Sequence, residues 1–365
     1  MRLSRSTLGA EELNGVRSVL DSGYLTQGPV AAQFERRVAD YVGAQHGFAT
    51  SSCTTALHLV MAAMGIGPGD EVIVADFTFP ASGNAVVQTG ATPVLVDIDP
   101  NTLTARPDAV AAAVTDRTRA VMVVHAFGLC ADVAAINVAL AGSGIPVIED
   151  AATALGSEQQ GRRAGTLATA ACFSFHPRKI ITTGEGGMVT TDDDDLAARI
   201  QLLRSHGGTR GARYMSFESP GFNYRLSDIN AAIGLAQMDR LEGIISNRRS
   251  LAEVYRTGLT GLTHVTPPAA PDGYRHTYQS YVCRLDPEID RDGVIDRLAA
   301  DGIESTLGTY ALHCQPAFQE RLGVTPGELP ESEAAFNHTL TLPLHPSMSQ
   351  EDVSEVIASL ARATA

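Results

Sequence analysis

Between residue 53 and about residue 190 the chain alternates short β-branched apolar runs with segments whose apolar positions recur at helical spacing. That is the pattern of a mainly parallel sheet with helices packed on it. Runs at 71–75, 92–97, 120–125, 147–150, 170–175 and 187–191 predict strands, and 53–64, 80–88, 107–114 and 131–141 predict helices. After Asp192 the texture turns helical, at 196–205, 226–241 and 247–259, and Pro267-Pro268 with Pro271-Asp272-Gly273 reads as a connector. A strand at 279–285 and helices at 291–300 and 350–361 then suggest a smaller α+β domain. The expected division is a large α/β domain at 1–245 and a small C-terminal domain at 246–365. The acidic run Asp192–Asp195 reads as the cap of a helix start.

Composition narrows the choices. The chain has 365 residues, 44% hydrophobic and 19% charged, enough for about two domains with buried cores. With 41 acidic against 27 basic residues the net charge is −14, which disfavours nucleic acid or an anionic membrane as partner. Five cysteines without a CxxC pair or zinc-ligand spacing fit free thiols and predict no metal site. No apolar stretch approaches the ~20 residues that span a bilayer, and Met1-Arg2-Leu3-Ser4-Arg5 lacks the apolar core of a signal peptide. The expected compartment is the cytoplasm.

Ligands of an open parallel sheet sit outside the carboxyl ends of its strands, so polar residues that follow apolar runs come first. Ser51-Ser52-Cys53-Thr54-Thr55 leads into an apolar helix and offers hydroxyls and free amides to an anion such as phosphate, or else a plain N-cap. Val147-Ile148-Glu149-Asp150 ends an apolar strand in a carboxylate. The strand ending at Phe175 runs into His176-Pro177-Arg178-Lys179 and a glycine-rich return, Gly184-Glu185-Gly186-Gly187. A lysine in such surroundings is either solvated or, if buried, an amine with lowered pKa able to act as a nucleophile. Phe79, after another strand, is either core or a stacking face. An anion cradle, a carboxylate and an amine are together what pyridoxal phosphate requires.

In these motifs the chain resembles the DegT/StrS-type aminotransferases, fold-type I pyridoxal-phosphate enzymes that aminate keto sugars on nucleotide carriers. The resemblance runs from Ser22-Gly23-Tyr24-Leu25-Thr26-Gln27-Gly28-Pro29 through Asp76-Phe77-Thr78-Phe79 and Glu149-Asp150-Ala151-Ala152. It is most specific at Phe173-Ser174-Phe175-His176-Pro177-Arg178-Lys179 with Thr183-Gly184-Glu185-Gly186-Gly187, and extends to Gly221-Phe222-Asn223-Tyr224-Arg225-Leu226-Ser227-Asp228 and Leu342-Pro343-Leu344. It implies that Lys179 joins the cofactor's aldehyde, Asp150 pairs with the pyridinium nitrogen, Phe79 stacks on the ring, and Cys53, Thr54 and Ser174 hold the phosphate. Asn223 matches a position that reaches the neighbouring subunit's cofactor phosphate, implying a homodimer with shared sites. Tyr24 and His313 fall in segments that line the family's substrate region, where a tyrosine or histidine could equally be a satisfied structural residue. Three positions depart from the common pattern: Cys53 stands for a frequent glycine, Thr153 for a glutamine that contacts the cofactor's phenolic oxygen, and Ile180 for an asparagine.

The implied activity is amino transfer from glutamate or glutamine to a keto sugar, in two half-reactions. Arg225 and Arg204 are candidates for the donor carboxylate, with a surface ion pair as the other reading. A related dehydratase carries histidine in place of the lysine, which Lys179 opposes. A non-catalytic regulator would be expected to show a basic stripe, and a nicotinamide enzyme a GxGxxG opening a helix; neither pattern is present.

Overall fold

The central sheet has seven strands: β1 (His46–Thr50), β2 (Glu71–Ala75), β3 (Thr92–Val96), β4 (Thr118–Val124), β5 (Val147–Asp150), β6 (Ala170–Ser174) and β7 (Gly187–Thr191). This is the arrangement in a computed structural model that describes residues 1–211, 213–325 and 327–365. The spatial order is β1-β7-β6-β5-β4-β2-β3. Strands β2 to β6 pair in parallel, whereas β7 is antiparallel to both β6 and β1.

Both faces of the sheet are buried, which is why its strands read as nearly continuous apolar runs. Alternate residues Val72, Val74, Met122, Ile148 and Cys172 pack on one side with Leu57, Val60 and Met61. Ile73, Val121, Val123, Val147 and Phe173 pack on the other with Phe34, Val38 and Ile245. The helices that matter most for the site are α1 (Ala10–Ser22), α2 (Pro29–Val42), α3 (Cys53–Ala63), α4 (Asp228–Met238) and α5 (Leu241–Leu259). Helices α1 and α2 both lie against α4.

Four short antiparallel strands, Val265–Thr266, Tyr281–Leu285, Thr339–Leu342 and Thr306–Leu307, form a second sheet in that order. Leu251, Tyr255, Tyr281, Leu298, Leu340 and Leu360 build its core. The domain change expected at residue 245 falls inside α5, which runs unbroken from Ile245 in one core to Leu251 and Tyr255 in the other. The single helix expected over 226–241 is shorter, because Ser227 caps it by accepting from the Asn230 amide, 3.2 Å. The acidic run caps as expected: Asp193 accepts from the Leu196 amide, 2.9 Å, and Asp192 from the Gln45 amide, 2.7 Å. Among the described residues no helix is long and apolar enough to cross a membrane.

One buried charge organises the middle of the sheet. Glu149 is fully buried, and its carboxylate accepts from the amides of Gly165, Leu167 and Ala168 at 2.9, 2.9 and 3.0 Å. It also bonds His125 Nε2 at 2.8 Å, while His125 Nδ1 accepts from the Ala131 amide at 3.0 Å. Every polar atom of this cluster therefore has a partner, which offsets the cost of removing the charge from water. Glu149→Ala strands those donors without an acceptor and is expected to cost about 3–5 kcal/mol in urea unfolding. A loss below about 1 kcal/mol would show that water takes over the carboxylate's role.

Candidate active site

The helix N-terminus predicted at Cys53 is capped and still leaves amides open. Ser52 caps α3 by accepting from the Thr55 amide, 3.1 Å. The amides of Cys53 and Thr54, and the Thr54 hydroxyl, have no hydrogen-bond partner among the described residues. Strand β7 brings Ser174 alongside: Gly187 lies opposite Ser174 in the ladder, and a side chain on Gly187 would meet the Ser52 carbonyl at 2.4 Å and Cys53 N at 2.7 Å. Only glycine permits this approach. The Cys53 thiol faces the Cys172 carbonyl at 3.5 Å, and burial, with Asp150 nearby, pushes its pKa well above the ordinary thiol value. It is a neutral side chain, so what Cys53 offers an anion is its backbone amide.

Asp150 follows Glu149 on the strand and so takes the opposite face, the one covered by α3. Its Oδ2 accepts from the Ser82 hydroxyl at 2.6 Å and its Oδ1 from the Ala152 amide at 3.2 Å. Ser82, which in turn bonds the Thr78 hydroxyl at 2.8 Å, carries no sequence signal beyond being a small polar residue after Phe79-Pro80. Lys179 sits in the turn after β6, where its amide donates to the His176 carbonyl, 2.9 Å. Its amine has neither a hydrogen bond nor an ion pair among the described residues. Burial lowers its pKa from the ordinary lysine value, against the pull of Cys53 and Asp150 and with a push from Arg178.

The segment after the lysine is gripped by α4. The Gln237 amide both donates to the Thr182 carbonyl at 2.5 Å and accepts from the Thr182 amide at 3.1 Å. Asn230 donates to the Thr183 carbonyl at 2.6 Å and to the Glu185 carbonyl at 3.2 Å. The Asp228 carboxylate crosses to the N-terminal stretch of the motif set, accepting from the Gly28 amide at 2.8 Å and the Val30 amide at 3.3 Å. That contact ties Thr26-Gln27-Gly28-Pro29 to Leu226-Ser227-Asp228, two stretches that stand far apart in the sequence.

The remaining expected residues divide. Phe79 is 65% exposed, an available aromatic face 6.4 Å from the Tyr310 ring, and not core. Tyr24 is 69% exposed. Asn223 is exposed, and its backbone bridges to Ser205. The Thr153 hydroxyl donates to the His125 carbonyl at 2.6 Å, so its proton is committed and only its oxygen lone pairs are free. Arg225 donates to Ser205 Oγ at 3.2 Å and forms no ion pair among the described residues. Arg204 and His313 take structural roles. Arg204 is buried, paired with Glu35 and bonded to the Ala49 carbonyl at 2.9 Å, which makes it neither a surface ion pair nor a free carboxylate receptor. His313 is fully buried, its Nδ1 2.7 Å from Asp76 Oδ2 and its amide 2.8 Å from Asp76 Oδ1, so in this subunit it ties Leu312-His313 to the end of β2 instead of facing open substrate space.

Residues 6–361 match the DegT/DnrJ/EryC1/StrS aminotransferase family. The chain belongs to this family. It is 41% identical to the GDP-perosamine synthase of Caulobacter vibrioides, over 98% of each chain. It is 39% identical to the spore coat polysaccharide biosynthesis protein SpsC of Bacillus subtilis, over 97% of this chain and 94% of that one. Spr1654 of Streptococcus pneumoniae in its PLP-form superposes with a TM-score of 0.95 at 29% identity, covering 100% of this chain and 98% of the other. The protein is a pyridoxal-phosphate-dependent aminotransferase with the family's α/β fold. Its own residues fit that cofactor: two unpartnered helix amides and two hydroxyls suit a phosphate, the satisfied Asp150 carboxylate a protonated ring nitrogen, and the unpartnered Lys179 amine an aldehyde.

Two outcomes follow from this geometry. Gly187→Ala forces α3 away from β7 and is expected to weaken pyridoxal phosphate uptake, read by absorbance titration, with about 1–3 kcal/mol of stability lost. Undiminished uptake would separate the helix terminus from phosphate binding. A lysine whose pKa falls on folding leaves the unfolded state with more bound protons from its lowered value up to about 10.4. Lys179→Met therefore raises the melting temperature of the cofactor-free protein at neutral pH, by a margin that closes as pH rises towards about 10.4. A margin constant with pH would assign the gain to packing.

Proposed function

We propose that the enzyme moves an amino group from glutamate or glutamine to a keto sugar carried on a nucleotide, the donor's keto acid leaving before the sugar binds. The observation that carries this reading is the desolvated, unpartnered Lys179 amine beside Asp150, in a chain 41% identical to a protein named for making GDP-perosamine. SpsC, named for polysaccharide biosynthesis, supports the same substrate class.

Bound pyridoxal phosphate supplies an aldehyde that takes up the amino group and a ring that accepts the electrons released with the donor's α-proton. Lys179 would hold the cofactor through its aldehyde, and its free Nζ would carry the proton of the donor's α-carbon. The low pKa that burial gives it favours the free base needed for both tasks. Asp150, held by Ser82 and the Ala152 amide, keeps a proton on the ring nitrogen. Cys53 and Thr54 donate backbone amides, and Thr54 and Ser174 hydroxyls, to the phosphate; Phe79 offers its exposed face to the ring. Thr153 accepts, through its oxygen, at the ring's edge. Arg225, which pairs with no carboxylate among the described residues, receives the donor's, and Tyr24 lines the acceptor's path.

The exposed Asn223, together with Tyr214 and Phe217 at 83% and 65% exposure, supports a homodimer in which this surface meets the second subunit's site. Residues 1–245 carry the cofactor contacts, and residues 246–365 form the smaller unit around the antiparallel sheet.

The test is the visible spectrum of the purified protein with glutamate or glutamine, beside Lys179→Ala. The wild type is expected to hold a yellow band that the donor bleaches, with parallel double-reciprocal plots when a nucleotide-linked keto sugar is varied. A protein that takes up no pyridoxal phosphate, or intersecting plots, would sink the reading.

A further inference from the structure

The carbonyl immediately before the lysine is held from the other end of the chain. Gln279 Nε2 donates to the Arg178 carbonyl at 2.8 Å, and Gln279 is buried. It stands outside the strand expected at 279–285, which begins at Tyr281, and this leaves its side chain free to cross to the lysine turn.

The segment that presents Gln279 is itself rigid. The fully buried Arg248 of α5 has no carboxylate partner among the described residues. Its Nη1 instead donates to the carbonyls of Tyr278, Gln279 and Leu344 at 3.1, 3.0 and 3.0 Å. Tyr278 adopts φ +50°, in the left-handed region, with its amide bonded to His276 Nδ1 at 2.9 Å and its ring stacked on the His276 ring at 3.9 Å. On the far side the Thr277 amide donates to the Gly128 carbonyl at 3.1 Å, just beyond β4. A strained residue held by a buried cation, a stacked ring and the large sheet does not drift, and neither does the amide that follows it.

We propose that Gln279 is a positioning residue for the catalytic amine: by fixing the Arg178 carbonyl it fixes the Arg178–Lys179 peptide plane, and with it the direction from which Lys179 approaches the cofactor. Gln237 holds Thr182 on the other side of the lysine, so the turn is clamped from both flanks by groups outside it. Without Gln279 the peptide keeps the Lys179 amide's bond to the His176 carbonyl but loses its hold from outside the turn, so the amine loses alignment while the phosphate cradle and the substrate contacts stay in place. Misalignment of a reacting group by about 1 Å costs up to about a hundredfold in rate.

This inference rests on Lys179 being the cofactor-bound lysine, so the experiment carries both. Wild type, Gln279→Met, Gln279→Glu and Lys179→Ala are loaded with pyridoxal phosphate, reduced with borohydride and mapped by peptide mass. The visible band of each unreduced protein is then titrated with pH. Gln279→Met keeps the volume and removes the donor. It is expected to keep label at Lys179, to shift the titration midpoint of the band by about half a unit to one unit, the equivalent of one ordinary hydrogen bond, and to lower kcat about tenfold or more with KM for the amino donor nearly unchanged. Gln279→Glu places an acceptor against the carbonyl and shifts the midpoint further. Should Gln279→Met melt far below the wild type, the titration of Gln279→Glu decides. Label on Lys179 with a wild-type midpoint in both variants overturns the positioning role alone, whereas label persisting in Lys179→Ala overturns the lysine assignment and this inference with it.

Discussion

The site depends on a buried carboxylate that takes no part in the chemistry. Glu149 gathers three amides and an imidazole at the centre of the sheet, tying β5 to His125 at the end of β4 and to the loop that precedes β6. Because strand residues alternate between faces, fixing Glu149 on one side fixes Asp150 on the other, towards α3. The side chain proposed to meet the cofactor is thus set by its neighbour on the opposite face. The satisfied bonds of Glu149 make the arrangement stiff, since any shift of β5 would strand several buried polar atoms together.

A second constraint acts at right angles to the strands. Gly187 lets β7 and the start of α3 approach more closely than any side chain would permit, and this brings Ser174 and the open amides of Cys53 and Thr54 to one place. The open amides follow from backbone geometry, which explains how a cysteine can stand where the family resemblance leads one to expect glycine. Its thiol is neutral and turned to a carbonyl, so the amide is unaffected. Thr153 differs: its hydroxyl proton goes to the His125 carbonyl, and what it offers a ligand is only an oxygen.

Much of the fold could be read from periodicity because the sheet is buried on both faces. The runs at 71–75, 147–150 and 187–191 coincide with strands β2, β5 and β7. His46–Thr50 escaped because a histidine, a glycine and a threonine hide the strand pattern, and Ala10–Ser22 and Pro29–Val42 because their helical stripe lies outside the alternating region. Lys179 and Asp150 could be singled out because Asp150 ends an apolar run and Lys179 lies in the polar turn that follows one. Ser82, Gln237 and Gln279 were not, since their roles come from contacts across tens or hundreds of residues that no local spacing encodes. His313 and Arg204 show the reverse: a polar residue in a suggestive segment becomes structural once a carboxylate, the buried Asp76 or the half-buried Glu35, stands beside it.

Helix α5 has a mechanical consequence. It enters the core of the large sheet at Ile245 and leaves through the core of the small sheet at Leu251, Tyr255 and Leu259, with no break between. A shared rod offers no seam at which a protease could part the two bodies or at which one could melt while the other stays folded. Heat should dismantle them in one transition, and any breathing of one against the other must be elastic flexure of that rod, small in amplitude and quick to recover.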